Sequence, residues 1–198
     1  MPATVSPPRL HQFWAVGWPY LLTALLGLVL AYGVSLARVS GDSMRPTLQS
    51  GNLLLLQKYP RWLDPDFPQR GDLVVFRGPP GSPYSYADHQ WLGLEWRTRP
   101  AHIKRVLATA GDRVEARKGG VVVNGQALAE SYTLPGYVDD FGPLTLDAGE
   151  VWVMGDNRLV GSSLDSRTYG PIRVQDVVGQ AKMRLWPTPR ALALTATK

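Results

Sequence analysis

The stretch Ile103-Lys104-Arg105-Val106-Leu107-Ala108, followed by Ala110-Gly111-Asp112 and then Arg113-Val114-Glu115-Ala116, decides the fold class. Two short runs divided by a Gly-Asp turn read as successive β-strands. The next run, 121–128, holds Asn124-Gly125 after three valines, the strongest short hairpin signal, because a tight turn of that kind needs positive φ at both central residues. Further out, residues 52–57 and 72–76 are apolar runs between turn residues, and 151–154 and 177–185 complete the set. The region 38–186 therefore reads as one β-rich domain. Residues 78–100, with prolines and aromatics but few aliphatics, read as a long loop leaving the sheet, and 130–149 as another. The tail, 187–198, lacks a packing pattern and reads as loose.

A chain of 198 residues accommodates one good-sized domain plus a small appendage. It contains no cysteine, which excludes disulfides and thiolate chemistry. The net charge is +5, yet no run of three Lys or Arg occurs, and basic residues are scattered among acidic ones. Nucleic-acid binding needs a basic stripe, and none is visible.

Charge vanishes between Phe13 and Ala37, where no Asp, Glu, Lys, Arg or His occurs. A membrane-spanning helix needs roughly 20 predominantly apolar residues. Trp14, Trp18 and Tyr20 near one end and Tyr32 near the other suit the headgroup region. Residues 13–37 thus read as an uncleaved transmembrane anchor after a short segment, 1–12. The rival, a cleavable signal peptide ending at Ser35-Leu36-Ala37, requires a shorter apolar region of about 7–15 residues.

Just past this segment lies Gly41-Asp42-Ser43-Met44-Arg45-Pro46-Thr47-Leu48. A lone serine usually caps or turns. Here it has company at a distance: Ile103-Lys104-Arg105-Val106 ahead of Gly111-Asp112, and Gly155-Asp156-Asn157-Arg158 ahead of Ser163-Leu164-Asp165-Ser166-Arg167. A serine hydroxyl needs an adjacent base. Lysine serves only as the neutral amine, and burial among apolar groups lowers its pKa from about 10.4. On a strand, Lys104 shares a face with Val106 and Ala108. The histidines are poor alternatives: His11 precedes the anchor, His89 lies in the long loop, and His102 is expected to point away from the neighbours of Lys104 or toward solvent.

These blocks, with 71–76 between them, stand in an order that resembles bacterial type I signal peptidases, membrane-bound Ser/Lys proteases of exported preproteins. The resemblance implies a mainly β, barrel- or sandwich-like catalytic domain behind one transmembrane helix, on the outer face of the cell membrane. It implies Ser43 as nucleophile, Lys104 as general base, and the backbone of Gly41 and Ser43 as oxyanion hole. It makes Ser163 the hydroxyl that orients the lysine and Asp165–Arg167 a structural ion pair, and it puts Met44 beside the substrate pocket. Four residues separate Arg158 from Ser163 where the family usually has two, so Ser162 is an alternative to Ser163. Asp156 and Arg158 read as a supporting turn with a salt bridge. The implied partners are signal peptides of preproteins and the lipid bilayer, with no nucleic acid, metal or cofactor. Two other readings are a self-cleaving repressor-type Ser/Lys protein, which should carry a DNA-binding segment in place of an anchor, and a tethered β module that binds peptides without cutting them.

Overall fold

The structure, a computed structural model, describes residues 10–134 and 136–192. It begins with helix α1 (Leu10–Leu28), which widens into a π-type turn, Val29–Gly33, and passes directly into strand β1 (Val34–Arg38). Then follow β2 (Leu53–Gln57), the short helix α2 (Pro60–Leu63), β3 (Leu73–Arg77), β4 (Ala87–Trp91), β5 (Leu94–Thr98) and β6 (Ala101–Ala108). A second group comprises β7 (Arg113–Arg117), β8 (Gly120–Val123), β9 (Gln126–Ala127), β10 (Phe141–Thr145) and β11 (Glu150–Met154). The chain closes with α3 (Ser166–Tyr169), β12 (Ile172–Arg173), β13 (Val177–Trp186) and β14 (Arg190–Ala191).

The principal sheet runs β1-β2-β13-β3-β6-β11-β12, with β14 on β13, and β10-β7-β8-β9 form a second sheet. Among the described residues every strand–strand pairing is antiparallel. The two sheets share a core in which Leu107, Ala108, Trp152 and Met154 of the first pack with Val114, Ala116, Val121 and Val123 of the second. A second cluster, Val39, Leu48, Leu54, Leu56, Leu73 and Val75, fills the space beside β2 and β3. The third, including Phe76, Val106, Val153, Ile172 and Val177, lies around the middle of the sheet. Asn124 and Gly125 join β8 to β9 with φ of 52° and 78°, the left-handed pair that this hairpin turn demands.

The structure departs from expectation at four places. The helix stops at Gly33, and Val34–Arg38 is an edge strand in register with β2, Val34 opposite Gln57 and Arg38 opposite Leu53. Its residues continue the apolar run without a break, so composition merged strand with helix. Among the described residues, no helix is long and apolar enough to cross a membrane. Residues 78–100 are not a plain loop: β4 and β5 form a hairpin of their own. Within 130–149, β10 pairs with β7, and in the tail β14 pairs with β13. Residues 1–9 and 193–198 lie outside the described part.

Close approach of β13 to the chain leaving β2 depends on Gly179, where an added Cβ would stand 2.7 Å from the Gln57 carbonyl oxygen. Gly179→Val forces backbone apart in the centre of the sheet, and overpacking of this kind costs about 1–3 kcal/mol. Thermal unfolding followed by circular dichroism should show a lower midpoint for the variant.

Candidate active site

The local chain path around Ser43 explains why its hydroxyl is presented. After β1, Gly41 takes φ of 84°, a conformation that glycine adopts without steric cost. The chain then tightens into a turn in which the Arg45 N–H donates to the Asp42 carbonyl at 3.1 Å and the Leu48 N–H to the Met44 carbonyl at 2.8 Å. The turn is held against the segment after β11. There the Asn157 N–H donates to the Ser43 carbonyl at 3.0 Å, and the Asn157 side-chain amide to the Asp42 carbonyl at 3.2 Å. Gly155 makes this contact possible, because a Cβ would lie 2.5 Å from the Ser43 carbonyl oxygen and 2.6 Å from Ser163 Oγ.

Lys104 reaches the same point from β6. Its Nζ donates to Ser43 Oγ at 2.7 Å and to the Ile103 carbonyl at 2.9 Å. The side chain is 3% exposed. Val74 lies directly opposite it on β3, and Val106 follows on its own face; both belong to the middle core cluster. The expected third neighbour, Ala108, turns into the other cluster, because the register with β11 slips between Trp152 and Val153. Burial pulls the Lys104 amine down to about 8, against the opposing pull of Asp165, with Arg167 adding to the decrease. A cleft of about 180 Å³ opens at this pair, walled by Ala37, Val39, Leu54, Val75, His102 and Ile103.

A family model described as signal peptidase, peptidase S26, matches residues 13–186. The chain belongs to the signal peptidase family. Its enzyme class is therefore serine endopeptidase. Relatives of this signal peptidase-family chain include a probable signal peptidase I-1 of Synechocystis, 36% identical over 92% of this chain and 88% of that one. A signal peptidase I of Leptolyngbya laminosa is 36% identical over 83% of this chain and 77% of its own length. A solved signal peptidase I from Enterococcus faecalis overlaps 57% of this chain and 95% of its own at 26% identity, with a TM-score of 0.43.

Around the Ser43–Lys104 pair of this signal peptidase, a buried frame links distant segments. Arg105 and Asp156 form a two-pronged ion pair, with Nε to Oδ1 at 2.8 Å and Nη2 to Oδ2 at 2.6 Å, neither residue more than 1% exposed. Thr47 donates its hydroxyl to the same carboxylate, Arg105 Nη1 donates to the Gly71 carbonyl at 2.9 Å, and the Tyr132 ring lies 4.1 Å beneath the guanidinium. Arg158 donates through Nε to the Gly155 carbonyl at 2.8 Å and pairs with Glu130. Asp156 and Arg158 thus each find a partner far away in sequence; the expected salt bridge within their own turn does not form. Thr47, Glu130, Tyr132 and Gly155 carry no role in the sequence reading, although Thr47 and Gly155 lie in two of its blocks.

Asp165 and Arg167 do pair, at 2.8 Å, and Asp165 also accepts from the Gly155 N–H at 3.0 Å. Burial pushes the Asp165 carboxyl up, but Arg167, Ser163 and the Gly155 amide outweigh this and hold it below the ordinary carboxylate range. The Ser163 hydroxyl donates to Asp165 Oδ2 at 2.6 Å and makes no bond to Lys104. Ser162 turns away to the Asn157 and Leu159 carbonyls, because the two extra residues form a turn of their own. Met44 does not line the cleft: it is 1% exposed, in the core cluster that also holds Val39, Leu54 and Val75 of the cleft wall. His102, expected to point elsewhere, lines the cleft with Lys104, since residues two apart on a strand share a face. His89 lies in the β4–β5 hairpin against Thr98.

Asp156→Ala leaves the Arg105 guanidinium buried without its counter-charge, which costs about 3–5 kcal/mol. Denaturant unfolding should show a large fall in midpoint, and Asp156→Asn, which keeps a partial hydrogen-bond acceptor, should fall less.

Proposed function

We propose that this signal peptidase-family protein is a membrane-attached endopeptidase that removes signal peptides from exported preproteins through Ser43 and Lys104. The observation that carries the reading is the 2.7 Å contact between the Lys104 amine, buried and weakened as an acid-holding group, and the Ser43 hydroxyl. Neutral Lys104 removes the Ser43 proton as Oγ adds to the scissile carbonyl. The N–H groups of Gly41 and Ser43 serve the oxyanion that forms, a role supported by the tight turn that the φ of 84° at Gly41 permits. The lysine, now an ammonium, returns the proton to the departing amine. Water, deprotonated by the same lysine, then frees Ser43 from the acyl-enzyme.

The binding mode follows from an unpaired edge. β11 pairs with β6 only from Arg105 onward, so 101–104 have one side open beside residues 37–40. An extended peptide adds there as a strand, with alternate side chains facing the cleft. A space of about 180 Å³ walled by Ala37, Val39, Leu54 and Val75 suits small side chains at the first and third positions before the cut. Asp165, Arg167, Asp156, Arg158 and Ser163 act by holding the segment 155–157 against Ser43.

Membrane attachment rests on the helical rod formed by α1 and Val29–Gly33. Leu21, Leu22, Leu25, Leu26 and Leu30 are all exposed on it, and no charged side chain occurs between Phe13 and Ala37. Such a surface is stable in a hydrocarbon environment. The catalytic domain then stands at the outer face of the cell membrane, beside substrates held in the same bilayer. Alkaline-carbonate extraction should leave the chain in the membrane pellet, and release into the supernatant would remove this part of the reading.

Ser43→Ala and Lys104→Met should each lose at least about 10²-fold in cleavage of a preprotein with an Ala-x-Ala site, as expected for loss of a nucleophile or its base. Near-normal activity in either eliminates the pair. Only the unprotonated amine works, so kcat/KM should rise about tenfold per pH unit below pH 8 and level off above it, because Lys104 titrates near 8.

A further inference from the structure

The β4–β5 hairpin stands apart from both packed sheets, paired only with itself. Two-stranded hairpins are marginal in water unless something covers a face. Among the described residues nothing does, and both strands are exposed along nearly their whole length. The cross-strand register sorts the side chains. His89 opposite Trp96 and Trp91 opposite Leu94 share one face, while Asp88 opposite Arg97 and Gln90 opposite Glu95 share the other. On the polar face Arg97 and Asp88 form an ion pair at 2.6 Å. On the apolar face Trp91 is 65% exposed, Leu94 66% and Trp96 47%, and Leu92 at the tip is 81% exposed. A hairpin that is apolar on one face and charged on the other belongs at a boundary between water and something apolar.

Register also tells where its roots lie. In β13, Gln180 is level with both Val74 of β3 and Gln57 of β2, and Val177 is level with Phe76. The chain leaving Gln57 and the chain leaving Val74 therefore head toward the same end of the sheet. At that end lie Arg77 and Ala101, the roots of the hairpin, which pair with each other. Val34, where the helical rod joins β1, is level with Gln57. The rod is fastened there: Lys58 Nζ donates to the Leu30 and Ala31 carbonyls at 3.0 and 3.1 Å, and Tyr32 meets Trp62 edge-on at 5.9 Å. Trp62 and Leu63 of α2 are themselves 52% and 76% exposed. Helix end, α2 and hairpin thus gather exposed aromatic and aliphatic side chains at one end of one sheet.

We propose that the β4–β5 hairpin is a second membrane contact, laying Trp91, Leu92, Leu94 and Trp96 into the headgroup–acyl boundary of the bilayer that holds the helix. The proposal rests on the membrane attachment argued above. Tryptophan favours that boundary, and the charged face of the hairpin stays toward water. With the rod as one point of attachment and the hairpin as another, the domain cannot swivel about the helix, and the Ser43 cleft keeps one orientation toward the membrane plane.

The chain has no cysteine, so a single introduced cysteine carries a single environment-sensitive fluorophore. Leu92→Cys, Leu25→Cys and Lys118→Cys, labelled in the full chain and reconstituted in phosphatidylcholine–phosphatidylglycerol vesicles, are read with spin-labelled lipid and aqueous iodide as quenchers. Lys118 lies on the four-stranded sheet, reached from the other end of β6. The expected result is blue-shifted emission, quenching by lipid and protection from iodide at positions 92 and 25, with the reverse at 118. A label at 92 open to iodide while that at 25 is lipid-quenched overturns the hairpin contact and leaves the anchor standing. Lipid quenching at 92 with iodide access at 25 upholds the contact and overturns the anchor. Iodide access at both overturns both.

Discussion

The buried ion pair of Arg105 with Asp156 is the constraint on which the site depends. Three segments meet at it: β6, which also carries Lys104; the turn after β11, which receives Ser43; and the chain just beyond Ser43, through Thr47. Arg105 immediately follows Lys104, so locking its guanidinium also sets the register of the lysine. Asp156 immediately follows Gly155 and precedes Asn157, the two residues that touch the Ser43 carbonyl. A pair this deeply buried contributes little net stability relative to a well-packed apolar substitute. Its effect is geometric, since charge in such surroundings tolerates very few arrangements.

A second layer works on the lysine. Its amine sits among Val74, Val106 and the cleft wall, which disfavours the ammonium, while Asp165 nearby favours it. Asp165 does not act with full strength, because Arg167, Ser163 and the Gly155 amide already engage it. The same three partners favour the ionised form of that carboxylate. The balance leaves the lysine neutral often enough near neutral pH to accept a proton, without stripping it of the hydrogen bond to Ser43.

How much of this was legible in the sequence differs from residue to residue. The core strands were readable because alternation, Gly-Asp and Asn-Gly turns agree with one another, and the serine and lysine blocks stood out by order and spacing. β1 was not, since Val34–Arg38 prolongs an apolar run that suits helix or strand alike, and only pairing with β2 decides. The hairpin at 87–98 was hidden because its apolar face covers no core and so holds few aliphatic residues. Partners of buried charges were illegible for another reason: Asp156 with Arg105 and Arg158 with Glu130 are joined only by the fold, and nothing local marks them. That Met44 packs in the core cluster and that Ser163 bonds to Asp165 is likewise settled by contacts that neighbouring residues in sequence do not determine.

The junction at Gly33 has no slack. The Lys58 amide donates to the Gly33 carbonyl and its ammonium to the two carbonyls before Tyr32, so rod and sheet meet without a hinge. Such a rigid joint works as a ruler. Under the proposed attachment, the reactive oxygen stays at a set height above the bilayer, and a polypeptide anchored beside it is measured by how far its own chain protrudes. Selection of where to cut then belongs partly to distance, independent of which side chains fill the cleft.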